Sequence, residues 1–244
     1  MDALHRQAVL QLMGIPVWTL RMSEARPVDV PPPAEAEDRP ANLDQPQAGT
    51  SMTESTEALW EQLASEVSGC TRCALHSGRT QTVFGVGSRS ADWLVIGEAP
   101  GEQEDLQGEP FVGRAGQLLN EMIRALGLTR ETVYIANILK CRPPENRDPS
   151  ADESRACEDY LHRQISLIQP KIILALGRVA AQNLLKTTTA IGALRGQVHQ
   201  YQNTPLVVTY HPAYLLRSQL EKRRAWDDLR LAMNTYREHV KNNC

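Results

Sequence analysis

The chain predicts an α/β fold, with a central, mostly parallel, four-stranded sheet flanked by helices in three layers. Three observations carry that expectation. Four short runs, WLVIG (93–97), VYIANIL (133–139), IILALG (172–177) and LVVTY (206–210), are almost wholly apolar, the pattern of strands buried on both faces. Helical periodicity fills the stretches between and after them, at 115–126, 151–168, 178–186 and 219–238, and such alternation builds a parallel sheet with covered faces. At 244 residues and 41% apolar, the chain suits one well-packed domain with extra length rather than two full domains.

In chain order, residues 1–22 come first. DALHRQAVLQLMG places Leu4, Ala8 and Leu12 at helical spacing with Val9 and Met13 beside them, Gly14 offers a stop, and IPVWTLR follows as an extended apolar piece. This reads either as an amphipathic docking peptide or as an extra helix folded back on the main domain. Residues 23–55 hold six of the fifteen prolines and almost no large apolar side chains, a composition that stays flexible because it cannot bury enough surface to order itself. The regular pattern, and with it the main domain, begins at 56. Within the helical stretch 115–126, Ala115, Leu118, Leu119, Met122, Ile123 and Leu126 form the apolar stripe. Ligands of parallel sheets sit beyond the carboxyl ends of the strands. Chemistry is therefore expected in GEAPGEQED after the first strand, around Asn137 in the second, and in HPAYLL after the last.

The net charge is −3. Residues 1–55 carry a net −4 and the remainder +1, so any grip on nucleic acid must come from local patches and backbone amides. No apolar run approaches the roughly 20 residues that span a bilayer, and Gln7 and Gln11 interrupt the N-terminal apolar stretch where a secretory signal needs continuity. A cytoplasmic location is expected, with no membrane partner, and thiols are kept reduced there.

The five cysteines then need another explanation than bridges. Cys70 and Cys73 form a CxxC just before the sheet, and Cys141 and Cys157 flank the polar, proline-bearing stretch LKCRPPENRDPSADESRAC. A CxxC with two more cysteines on polar loops has the makings of a four-thiolate site for zinc or an iron–sulfur cluster; spacing leaves the two open. Cys244 reads as a bystander.

GEAPGEQEDLQGEPFVGRAGQLL, ANILKCRPPENRDP and HPAYLL, in that order and preceded by the CxxC, resemble the iron–sulfur uracil-DNA glycosylases of family 4. The likeness runs from about Cys70 to about Trp226. It implies a uracil-DNA-glycosylase-like fold, a nucleoid-associated base-excision enzyme acting on uracil-containing DNA, and a 4Fe–4S cluster on Cys70, Cys73, Cys141 and Cys157. It also implies that Phe111 stacks on the base, that Glu98 lies near the sugar, and that Glu104 lies beside uracil C5, where it would exclude the methyl group of thymine.

The residues suit that chemistry. Uracil in DNA is reached by rotating its nucleotide into a pocket. The ring of Phe111 is a flat stacking surface. Asn137, an amide within an apolar strand, offers one acceptor and one donor, matching uracil N3–H and O4, whereas cytosine reverses both. His211 and the amides of the GEAPG turn, bordered by Gly97 and Ala99, are placed to stabilise charge developing on the departing base. The related family 1 enzymes place an aspartate where Ala99 stands, so no carboxylate at 99 is there to activate water. Arg142, Arg147 and Arg217 are candidate DNA contacts, joined by Lys222, Arg223 and Arg224, and predict salt-sensitive binding.

The peptide RQAVLQLMGIPVWTLR is similar to the N-terminal peptide of the psi accessory subunit of bacterial DNA polymerase III, which implies docking on the clamp loader through residues 1–22. Two functions of different class follow. One is a repair glycosylase carried at the replisome by its tail; the other is a clamp-loader accessory protein whose glycosylase-like domain is mainly a scaffold.

Overall fold

The structure is a computed structural model that describes residues 50–242; the docking peptide expected at 1–22, most of the linker expected at 23–55, and Cys244 lie outside them. The first element, α1 (Thr50–Ser68), opens ahead of the boundary expected at 56. Trp60, Leu63 and Val67 recur at helical spacing along it, and all three are buried.

The sheet has six strands, which corrects the four expected. They are β1 (Val86–Gly87), β2 (Trp93–Gly97), β3 (Tyr134–Asn137), β4 (Ile172–Leu176), β5 (Val198–Tyr201) and β6 (Thr204–Thr209), in the spatial order β1-β3-β2-β4-β6-β5. The inner four are the apolar runs of the sequence, and every neighbouring pair among them is parallel. The outer two are antiparallel. β1 is two residues long and β5 is largely exposed, so neither carries the apolar pattern by which a buried strand is recognised.

Alternate residues of the inner strands feed two separate cores. Leu94, Ile96, Ala136, Ile173 and Val208 pack with Trp60 of α1, with Leu161 and Ile165 of α4 (Ala151–Ile168), and with Ala180 and Leu184 of α5 (Gly177–Leu185). Trp93, Val95, Ile135, Leu174 and Val207 pack with Leu119, Met122 and Ile123 of α3 (Arg114–Ala125) and with Ala225 and Leu229 of α8 (Lys222–Asn242). The period-two alternation of a strand thus becomes a three-layer sandwich. The stretch 219–238 divides: Gln219–Glu221 is a 3₁₀ turn, and the α-helix starts at Lys222.

Three short α-helices complete those of the described residues: α2 (Glu102–Gln107), α6 (Ile191–Leu194) and α7 (Pro212–Arg217). The chain enters the parallel core at β2, moves to β3, then returns past β2 to β4. Such a reversal opens a crevice at the strands' carboxyl ends.

Candidate active site and four-cysteine cavity

A cavity of about 450 Å³ occupies that crevice. Glu98 and Ala99 reach it from the end of β2, Asn137 from the end of β3, and His211 and Arg217 from the segment after β6; Glu104, Phe111 and Arg147 complete the part foreseen in the sequence. Gly97 and Arg142 do not line it. Asn146 and Asp148 do, unforeseen, because the turn containing Pro144–Asn146 folds over the site, and Tyr214 of the HPAYLL segment joins them.

Gly97 acts by what it lacks. A Cβ there would stand 2.4 Å from Asn137 Oδ1 and 2.5 Å from Phe111 Cζ, so its absence lets the amide and the ring approach the end of β2. Gly97 and Asn137 are opposite each other in the parallel register. Asn137 is 1% exposed, and its Oδ1 has no hydrogen-bond partner. An unpaired buried acceptor costs about 1–3 kcal/mol, and here it belongs to the wall of a cavity.

Phe111 is 6% exposed, and its backbone lies in the left-handed region at φ 56°, a strain of roughly 1–3 kcal/mol for such a residue. Two charged side chains hold the loop in that state. Glu104 Oε1 accepts from the N–H groups of Val112 (3.0 Å) and Gly113 (3.1 Å), while its Oε2 accepts from that of Gly101 (3.1 Å). Arg130 donates to the carbonyls of Pro110 and Phe111 and to Asn120 Oδ1. Both oxygens of Glu104 are thus committed to the backbone, so its carboxylate shapes the Phe111 loop as well as lining the cavity. Arg130, a half-buried cation seven residues before the Asn137 strand position, carries no motif that distinguishes it in sequence.

His211 caps α7, and its Nδ1 accepts the N–H of Ala213 at 3.2 Å. A neutral ring with Nδ1 accepting carries its proton on Nε2. Neutrality is enforced: burial first, then the nearby Arg217 guanidinium, pull the imidazole down to about 4, against the opposing carboxylate of Glu104. One edge of the ring still meets the cavity. Phe111 and His211 stack obliquely, centroids 5.6 Å apart at 32°. Gly177, at φ +89°, has only 2.9 Å between an added Cβ and His211 Cβ, so the start of α5 presses on the histidine with no side chain between. Glu98 moves the opposite way. Burial and then Asp148 push its carboxyl up to about 7, while Arg178, which is ion-paired with Asp148, acts against them.

The arginines named as DNA contacts take two kinds of place. Arg147 is held by both oxygens of Glu153, at 2.6 and 2.8 Å, and Arg142 Nε by Asn146 Oδ1 at 2.8 Å; both brace the turn over the site in this state. Arg217 stands at the cavity, and Lys222, Arg223 and Arg224 are exposed on the first turn of α8.

The four cysteines line a second, small cavity together with Arg79, Lys140 and Tyr160. Cys157 corrects the sequence reading: it lies on the inner face of α4, not on a loop, because Ser150 and Glu153 form a capping box that starts the helix at Ala151. Cys141 and Cys157 are each 4% exposed, and Cys70 and Cys73 pack beside them with Leu63, Val67, Leu75 and Leu139. Arg79 donates to Cys141 Sγ at 3.2 Å and to the carbonyls of Cys70 and Ser68. The N–H of Lys140 donates to Cys157 Sγ at 3.5 Å. Among the described residues, no three His, Cys, Asp or Glu side chains stand close enough to hold one metal ion.

Fold and sites together define an α/β protein with a base-sized pocket at its strand ends and a separate four-thiol centre. Residues 84–230 match the family model of the uracil DNA glycosylase superfamily. The chain is 46% identical over 171 residues to a type-4 uracil-DNA glycosylase of Archaeoglobus fulgidus, covering 66% of this chain and 86% of that protein. It is 46% identical to the type-4 enzyme of Sulfurisphaera tokodaii (64% and 75% covered) and 43% identical to that of Thermotoga maritima (69% and 88%). The chain belongs to the uracil DNA glycosylase superfamily, in its type-4 branch. No helix among the described residues is long and apolar enough to cross a membrane.

Proposed function

We infer that this chain is a DNA repair glycosylase that takes uracil out of the base stack and hydrolyses its bond to deoxyribose, leaving an abasic site. The observation that carries the reading is the unpaired Oδ1 of Asn137, buried in a cavity wall beside Phe111 and His211. A flipped uracil supplies what that amide lacks: N3–H donates to Oδ1 while O4 accepts from Nδ2. Cytosine presents an acceptor to Oδ1 and a donor to Nδ2, leaving both unpaired. Phe111 supplies the stacking face, set by Glu104 and Arg130.

Cleavage of the C1′–N1 bond leaves its electron pair on uracil and positive charge on the sugar. The Nε2–H of neutral His211 stabilises the anion at O2, and a neutral donor avoids a salt bridge to the uncharged ground state. Water then bonds to C1′, and its proton passes to Glu98, whose pKa of about 7 suits a general base near neutrality. That fills the role Ala99 leaves open. Glu104 holds the loop from which thymine's methyl group is excluded. The exposed cations at 222–224, with Arg217, contact phosphates.

The four-cysteine cavity is assigned to a 4Fe–4S cluster, on the four-thiol donor set and the resemblance to the iron–sulfur family. Zinc on the same four thiolates is the alternative occupant, and iron content with visible colour distinguishes the two. Bound there, the cluster supplies a covalent cross-link and negative charge beside Arg79 and Lys140; no step above uses it. A cytoplasmic, nucleoid-associated location follows from the substrate. Residues 1–22 are read as a tether to the polymerase clamp loader, supported by their amphipathic pattern; retention of clamp-loader subunits by 1–22 fused to a neutral carrier tests it, and retention of none overturns it.

The deciding experiment incubates the purified chain with a uracil-bearing single strand and with its thymine counterpart. Abasic product from the first alone is expected. None at stoichiometric protein overturns catalysis in favour of the scaffold reading.

A further inference from the structure

Lys140 is 1% exposed, lines the cysteine cavity, and has no part in the base chemistry above. Its ammonium meets three acceptors: Gln164 Oε1 at 2.7 Å, the Asn137 carbonyl at 3.0 Å and the Phe84 carbonyl at 3.3 Å. All three N–H donors are therefore used, and none of the partners is a carboxylate. Its main-chain N–H, by contrast, serves Cys157 Sγ. Gln164, fully buried, fixes the far side of the cluster of bonds by donating to the Phe84 carbonyl at 2.9 Å and to Tyr134 Oη at 3.3 Å.

Lys140 adjoins Cys141 in the chain and its backbone N–H is bonded to Cys157 Sγ, so its main chain belongs to the frame of the cysteine cavity. One residue therefore touches both sites, a cysteine sulfur through its backbone and the carbonyl of the base-reading residue through its side chain. Asn137 is then held from two directions, by its register with Gly97 on β2 and by this ammonium.

We propose that Lys140 is a positioning residue that makes the setting of the Asn137 amide depend on the four-cysteine centre. The proposal rests on the reading of both cavities given above. It gives the cluster a consequence for recognition that needs no electron transfer: a filled centre fixes the Lys140 backbone, and the Lys140 side chain then holds the Asn137 strand end where the amide is preset for uracil.

Wild-type chain is measured first for iron content, excision from a uracil strand, and inhibition by free uracil. A wild type without iron or excision overturns the proposed function rather than this inference alone. Given an active wild type, Lys140→Met is expected to hold less than about half the iron and to bind free uracil about tenfold more weakly, with affinity for a thymine strand within about twofold. Adding Asn137→Ala to it is expected to weaken uracil no further than Asn137→Ala alone, since the lysine acts through that residue. Wild-type iron and uracil inhibition in Lys140→Met, or additive effects in the double variant, overturn the proposal. If Lys140→Met does not fold, Gln164→Leu decides: it leaves Lys140 in the chain and removes one of the three acceptors of its side chain, so iron is retained and uracil inhibition weakens about threefold, and unchanged inhibition overturns it.

Discussion

The two cavities treat their polar atoms in opposite ways. Around the cysteines, Lys140 uses all three ammonium donors and Arg79 reaches a sulfur and two carbonyls. In the base cavity, Asn137 keeps a buried oxygen unpaired, Phe111 keeps a strained backbone, and Glu98 and His211 are each pushed out of their ordinary range by burial. Satisfied groups make scaffold; unmet groups wait for a ligand. The comparison teaches that the first cavity fixes the chain, while the second stores free energy that a substrate releases.

Substitutions in the two cavities should therefore separate activity from stability. The largest effect is expected for Asn137→Ala, with kcat/KM on uracil strands falling about a thousandfold or more. Its melting temperature should not fall, because the variant removes an unpaired oxygen. A clear loss of stability would mean that the amide is structural. His211→Ala should lower kcat by roughly 10²–10³ with little change in DNA affinity, since a donor to the developing anion is lost; equal losses in rate and binding would break the assignment.

Glu98 sharpens the contrast through pH. Its carboxyl is protonated below about 7 and is a base only above it, so kcat/KM should rise with pH to a plateau with a midpoint near 7. Glu98→Gln should flatten that limb at about a hundredth of the wild-type rate. His211 stays neutral until about 4 and adds no inflection in that window. A midpoint unchanged in Glu98→Gln would place the base elsewhere. In the other cavity, Cys157→Ser should lose iron, visible colour and thermal stability together, and the fraction that remains folded should bind free uracil more weakly, as the link through Lys140 requires. The smallest effect is expected for Glu104→Gln, which keeps one acceptor oxygen for the Phe111 loop but not both; a severalfold rise in KM is the expected outcome.

Much of this was legible in the sequence where a single periodic signal decided it. The inner strands were readable because both faces are buried, so every position had to be apolar. The helix of 151–168 was readable by its 3.6-residue period, since only one of its faces is buried. β1 and β5 were not, since an edge strand of two or four residues under solvent has no such constraint. Glu98, Asn137 and His211 were legible as chemical types at strand ends, and Phe111 as an aromatic in the glycine-bearing loop between α2 and α3, but the protonation of His211 and Glu98 was not, because burial and the positions of Arg217 and Asp148 set it. Arg130 and Lys140 were illegible. A charged residue next to a motif looks the same whether it faces water or fills a core.

The sequence by itself determined the layered fold, the family, and the identity of four thiols and four polar groups, because those follow from local pattern and residue chemistry. The tertiary structure decided which of them act together. Gly97 lets two side chains meet, Glu104 and Arg130 lock a strained loop, and Lys140 joins a sulfur to a carbonyl. Some of these pairs are far apart in the chain, as Arg130 and Phe111 are, and others are near, as Lys140 and Asn137 are, but in each the contact depends on the fold of the chain around it rather than on local pattern.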